Sequence, residues 1–271
     1  MTNELRYAFG QNWQSFNTHA LNPKRTAWAA RSLQSLLGCP HLIGRTFLDI
    51  GCGSGLFSLA AVLLGATRVV GFDYDRDSVA ASMALRQRSG IDADRWQIMQ
   101  GSVLDSAFMQ QLPMADVVYS WGVLHHTGAM WPAIDAAAAC VQADGLFAIA
   151  IYNRVERPIN NSHQWVAIKR QYNQAGLPIR WGMEQIYASL LLLQEWQRGT
   201  NPLTYMRGYS AIGGRGMDFW HDVRDWMGGY PYEYASPEEL SDHLRPQGFT
   251  PEKVVRSDGL GCNEVVFRRS S

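Results

Sequence analysis

Apolar residues in this chain gather in short unbroken runs, and the runs alternate with stretches of helical period. Positions 46–50 (TFLDI), 68–72 (RVVGF), 96–100 (WQIMQ), 115–120 (ADVVYS) and 146–151 (LFAIAI) have the length and composition of buried strands. Between them, 56–64 (LFSLAAVLL) and 131–141 predict helices, and a further helix is expected to start near Ser78. Successive strand–helix units predict a parallel sheet with a ligand crevice at the carboxyl ends of its strands. After position 151 the alternation stops. Helical patterns follow over 162–174, 183–198 and 219–226, set among a dense group of tyrosines and tryptophans. Ser236-Pro237-Glu238-Glu239 then reads as a capped helix start. The runs 249–256 and 263–268, joined by a Gly-rich turn, predict an antiparallel hairpin that closes the sheet edge.

The first strand ends in Asp49 and turns through Gly51, Gly53 and Gly55 into the first helix. Glycines permit positive φ and let a ligand approach the backbone closely. A dinucleotide site would instead show GxGxxG with an acid about 20 residues on. Asp49 before the glycines would repel a pyrophosphate but suits a cationic ligand. At the end of the second strand, Asp73 lies twenty residues beyond Gly53, where a carboxylate can accept both hydroxyls of a ribose. Its alternative role is to cap the following helix. Tyr74 beside it offers a ring for stacking on a base.

These segments, with FGQNWQSF, SWGVLHHTGAM, AIYNR, DWMGGYPYEYASPEE and GLGCNEVVF, resemble the class I S-adenosylmethionine (SAM) methyltransferases. Within them the likeness is to a bacterial small-molecule group loosely related to the quinone-biosynthesis methylases. The resemblance implies a Rossmann-like α/β fold, with a seven-stranded, mostly parallel sheet in the order 3-2-1-4-5-7-6 and a helical cap inserted after strand 5. It implies SAM as cofactor and S-adenosylhomocysteine (SAH) as product. The family commonly places an acid after the glycine that ends the third strand; here Ser102 stands after Gly101, so the adenine contact shifts to Ser102, the Val103 backbone or Asp105. Ser120 and Trp121 open the loop that in the family passes under the methyl group, and an N-terminal helical lid over 1–44 would bring Asn12 and Trp13 to the cofactor. The expected organisation is this lid, a core of 45–152 and 236–271, and a substrate cap of 153–235.

Composition narrows the acceptor. Lys plus Arg and Asp plus Glu number 24 each, which leaves no electrostatic footprint for nucleic acid. The fourth strand also runs into SWGV rather than the (D/N)PP(Y/F) of DNA base methylases. Cys39, Cys52, Cys140 and Cys262 are widely separated, as expected of thiols in a reducing cytoplasm, and no metal is called for. No apolar leader opens the chain and no run of 18 apolar residues occurs, so a cytoplasmic protein without membrane insertion is expected, as a monomer or homodimer.

Methyl transfer from a sulfonium is an in-line displacement that needs no acid for its leaving group. A hydroxyl acceptor needs a base. His125 and His126 stand where one could act, with a reference pKa of about 6.5. Neighbouring side chains of an extended segment would point opposite ways, which favours one of the two, His126. Tyr152, Asn153, Trp226 and Asn263 are the candidate acceptor contacts. The leading expectation is O-methylation of a small molecule; N- or C-methylation, a macromolecular acceptor, and SAM binding without turnover are the alternatives.

Overall fold

The computed structural model of the protein describes residues 23–212 and 219–271. The expected contacts of Asn12 and Trp13 lie outside the described residues.

Seven strands form one sheet in the order β3-β2-β1-β4-β5-β7-β6. They are β1 (Thr46–Ile50), β2 (Arg68–Asp73), β3 (Trp96–Gln100), β4 (Ala115–Trp121), β5 (Val141–Tyr152), β6 (Phe249–Val255) and β7 (Cys262–Arg269). The first five are mutually parallel, and β7 runs antiparallel to both β5 and β6. This is the order the resemblance implied. Alternation along the strands sends side chains to two cores. Leu48, Ile50, Val118 and Phe147 face one, and Phe47, Val69, Val117 and Ala148 face the other. α1 (Pro23–Leu37), α2 (Leu56–Leu63) and α3 (Arg76–Arg88) belong to the second face, while α5 (Met130–Ala138) and α10 (Pro237–Leu244) cover the first. A short α4 (Ser106–Met109), capped by Asp105, follows β3.

β5 begins earlier than its apolar run at 146 because a register shift between Ala115 and Val117 lets Val141 pair first. Helix α10 starts at the expected place, with Ser236 and Glu239 making both bonds of a capping box. Glu239 also takes two bonds from Arg154, at 2.8 and 2.7 Å, which fastens the segment after β5 to that helix.

The chain divides into two compact units, and one of them comprises residues 163–232. Its helices are α6 (Ser162–Gln174), α7 (Leu177–Gln197), α8 (Pro202–Ile212) and α9 (Phe219–Gly228). α7 starts six residues before the expected 183 because Pro178, at home in a first turn, follows an extended Gly176. α8 had no prediction. Ala188, Phe219 and Val223 form the buried centre of this unit, with Tyr187, Leu191, Leu192, Tyr205 and Tyr209 packed around them. A second cluster surrounds Lys169, whose ammonium lies 4.1 Å from the Trp226 ring centroid and 5.0 Å from that of Tyr232. No helix among the described residues is long and apolar enough to cross a membrane.

Candidate functional site

The glycine turn is held from both sides. Gly51 has φ 73°, and a Cβ built there would come within 2.5 Å of Val123, so the loop after β4 packs directly on the turn. At Gly55, with φ 79°, a Cβ would meet Ser82 Oγ at 2.8 Å and the Trp96 ring at 2.9 Å. The Ser82 hydroxyl also donates to the Gly53 carbonyl at 2.9 Å. The loop's shape is therefore set by packing as well as by backbone freedom.

Asp73 closes the turn from the next strand. Its two carboxylate oxygens accept from Gly53 N and Asp75 N, each at 2.9 Å. Helix α3 begins at Arg76 rather than near Ser78, and Asp75 is its cap, accepting from Asp77 N at 2.8 Å. Asp73 is thus free of the capping role. Burial pushes its pKa up to about 6 despite the bonds from Asp75 and Gly53. Tyr74 next to it is 63% exposed. Ser102 is half-buried, with its hydroxyl accepting from Leu104 N at 3.2 Å, and Val103 is buried. Asp105 is engaged in capping α4, accepting from Ala107 N and Phe108 N.

Asp49 departs from expectation. The direct contact with a cationic ligand anticipated for it is corrected by its burial: it is 2% exposed, and its carboxylate accepts from Ser58 Oγ at 2.6 Å. Burial raises its pKa to about 7, and the charge of Asp73 adds to the rise. Two acids so lifted fit a ligand that brings positive charge to this turn. Ser120 is likewise buried, its hydroxyl donating to the Ile50 carbonyl at 3.0 Å, so it braces β4 against β1. The half-buried Trp121 donates from its indole to Glu264 on β7 at 2.8 Å.

At the ends of β4 and β5, three rings meet. Leu124–His126 forms a 3-10 turn rather than the extended segment expected, because Gly122, at φ 73°, bends the chain. The rings of His125 and His126 therefore adjoin, 4.4 Å apart between centroids, and that of Tyr152 lies 4.1 Å from His125 and 5.4 Å from His126. His125 is fully buried, whereas His126 and Tyr152 are half-buried. His125 Nδ1 stands 3.4 Å from the amide of Tyr152.

Glu233 fastens this turn from more than a hundred residues away. Its amide donates to the His125 carbonyl at 3.0 Å, and its carboxylate accepts from Met130 N at 3.1 Å, where α5 starts without a side-chain cap of its own. Burial raises its pKa, opposed by the bonds from the Met130 and Gly128 amides. Glu233 had no signal beyond its place in the YPYEYAS segment. Ser58 did have one, as a hydroxyl inside an otherwise apolar helix.

Two of the expected acceptor contacts, Asn153 and Asn263, are bonded to one another and to the backbone. Asn153 donates to the carbonyls of Ser257 and Gly259, at 2.9 and 3.1 Å, and accepts from Asn263 at 2.9 Å. The buried Asn263 in turn accepts from Ser257 N at 3.0 Å. Both amides are engaged in tying β5 to the turn before β7. Trp226 lies in the unit of residues 163–232, between Lys169 and the Trp165 ring, 5.1 Å between ring centroids.

Residues 48–147 match the family described as a methyltransferase domain. Magnesium protoporphyrin IX methyltransferase from Synechocystis PCC 6803, solved with bound SAH, shares 14% identity, with 90% of this chain and 83% of that one covered at a TM-score of 0.53. A putative SAM-dependent methyltransferase from Listeria monocytogenes shares 12% identity over 90% of this chain and 99% of its own, at a TM-score of 0.51. In sequence, the chain is 48% identical over 68 residues to a ribosomal protein L11 methyltransferase of Xanthomonas axonopodis pv. citri. That match spans 25% of this chain and only 22% of the relative. With the sheet order and the glycine turn beside these likenesses, the chain has the fold of the class I SAM-dependent methyltransferases, and residues 48–147 resemble a methyltransferase domain.

Proposed function

We propose that the protein transfers the methyl group of SAM to a hydroxyl of a small-molecule acceptor, with His126 as the base. The observation that carries this reading is the half-buried His126 in a three-ring cluster, on a loop packed against the glycine turn through Val123. Asp73 would hold the ribose hydroxyls, Tyr74 the adenine face, and Ser102 with the Val103 backbone the adenine edge. Asp49 sets the charge of the turn from behind it.

SAM, when bound, would supply an electrophilic methyl on a sulfonium, with a neutral thioether as its leaving group. His126 would take the proton that the acceptor hydroxyl loses as its oxygen receives that methyl. His125 and Tyr152 limit the tilt of that imidazole by packing on it. Thr127, whose hydroxyl donates to the Leu124 carbonyl at 2.7 Å, and Glu233 hold the turn beneath.

A second reading has one observation in its favour, the name of the relative that acts on ribosomal protein L11. It would put an amine of a protein in place of the hydroxyl. Radiolabelled SAM offered with a panel of phenols and alcohols, and separately with purified L11, separates the two. Label in a small molecule, lost in His126→Gln, supports the proposal. Label in L11 alone overturns it.

A further inference from the structure

Asp49 is a buried carboxylate with no cation beside it. Its hydrogen bonding comes from Ser58, whose hydroxyl is neutral. The register of β1 and β2 sets Asp49 opposite Gly71, so alternation puts Asp73, two residues further on, on the same face of the sheet. Asp73 takes its bonds from the backbone amides of Gly53 and Asp75, which are neutral too. The surroundings of the pair supply no positive charge. β4 brings Tyr119, the register partner of Asp49, and the turn brings Cys52, whose thiol is pushed well above its usual pKa by burial and by the two acids. α2 carries no charged residue, and α3 brings Ser82 and, at its cap, Asp75. Arg76 beyond that cap is exposed and bonded to neither acid. The ion pairs formed among the described residues lie elsewhere.

A carboxylate buried without a cation keeps its proton until a positive charge arrives. The folded pKa of about 7 agrees with that placement. SAM and SAH differ in the one respect to which such a group responds. SAM carries a sulfonium, a positive charge that no pH removes, and SAH carries a neutral thioether in its place. What the two share, including the ribose hydroxyls proposed for Asp73, acts on both alike. A cation bound at the turn favours the ionised form of Asp49, and by linkage the ionised form favours the cation.

We propose that Asp49 is the residue by which the turn tells SAM from its product: it releases a proton to solvent when SAM binds and keeps that proton when SAH binds. Asp49 has this role on the reading of the glycine turn as the cofactor site; neither the acceptor nor His126 enters it. In the ligand-free protein the proton is held below about pH 7, so the preference for SAM is complete above that value and is lost as pH falls further. Titration calorimetry on the full chain should show the ratio of the SAH to the SAM dissociation constant rising about 10-fold between about pH 5 and about pH 7.5, the equivalent of one pKa unit. Near pH 6, in buffers of different ionisation enthalpy, SAM should release more protons than SAH. Asp49→Asn should flatten the ratio and weaken SAM about 10-fold near neutral pH, with SAH unchanged. Ser58→Ala removes the hydroxyl bond that favours the ionised acid and should move the rise to higher pH. Asp73→Asn should weaken both ligands and keep the difference between them. A ratio that is flat in the parent, or a difference that Asp73→Asn abolishes and Asp49→Asn retains, overturns the proposal alone. A chain that binds neither ligand overturns the reading of the turn together with it.

Discussion

The turn proposed for the cofactor and the end proposed for the acceptor stand on neighbouring strands, β1 and β4, yet they are held by different means. The turn is local: Asp49, the glycines and Ser58 lie within ten residues, and Asp73 joins them from the next strand through Gly53 N. The acceptor end is assembled from afar, with His125 and His126 after β4, Tyr152 at the end of β5, and Glu233 reaching the same loop from after residue 232. Binding a fixed cofactor can be encoded in one motif, whereas an acceptor site is composed from segments that can each vary alone. Substitutions at the turn should therefore change SAM affinity, and those at the acceptor end should change turnover.

The largest effect is expected at His126. His126→Gln should cut turnover about 10²- to 10⁴-fold with SAM affinity within a factor of two or so, and should erase the acid limb of the rate profile. Near-parent turnover with that limb retained would point to an acceptor that needs no base, such as an amine. Next comes Asp73→Ala, which would remove the proposed acceptor of two ribose bonds and should weaken SAM by about 1.5 to 3 kcal/mol, measured by calorimetry. An unchanged affinity would take Asp73 out of the site.

Glu233→Gln should lower turnover roughly 10-fold through loosened placement of the histidine turn, again with SAM affinity retained. Loss of SAM binding together with turnover would erase the contrast between the two ends. The smallest effect concerns Asp49. Its folded pKa of about 7 lies above that of an unfolded aspartate, so the folded chain keeps a proton that the unfolded chain has released from about pH 4 upward. Stability of the ligand-free protein should accordingly fall as pH rises from about 4 to 7. Asp49→Asn should flatten that slope and gain on the order of 1 kcal/mol at pH 8, read by urea denaturation. Parallel slopes in parent and variant would mean that Asp49 stays ionised throughout.

What was legible in the sequence divides along the same line. Strand β1 could be read because a strand buried on both faces shows as an apolar run, and the order of the whole sheet came with the family resemblance that the contiguous glycine-acid turn helps to carry. The 3-10 turn at 124–126 could not, since the positive φ of Gly122 that bends the chain looks like any loop glycine. Asn153 and Asn263 suggested ligand contacts because an amide near a strand end reads alike whether it binds a substrate or another amide. Their pairing across 110 residues appears only in the fold. The rings of Trp226 and Tyr232 around Lys169 were not legible either, since aromatic density does not say which rings surround a buried lysine.

The contact between Gly51 and Val123 ties the fortunes of two positions that no motif joins. Even an alanine at 51 would press its methyl group into Val123, and so into the loop that carries both histidines. Residue 123 would have to shrink before residue 51 could grow, and the reverse order passes through a chain defective at both ends of the site. For a lineage under selection, the route between such sequences is one-way: an acceptor loop remodelled around a smaller residue at 123 can keep the old turn, while a remodelled turn cannot keep the old loop.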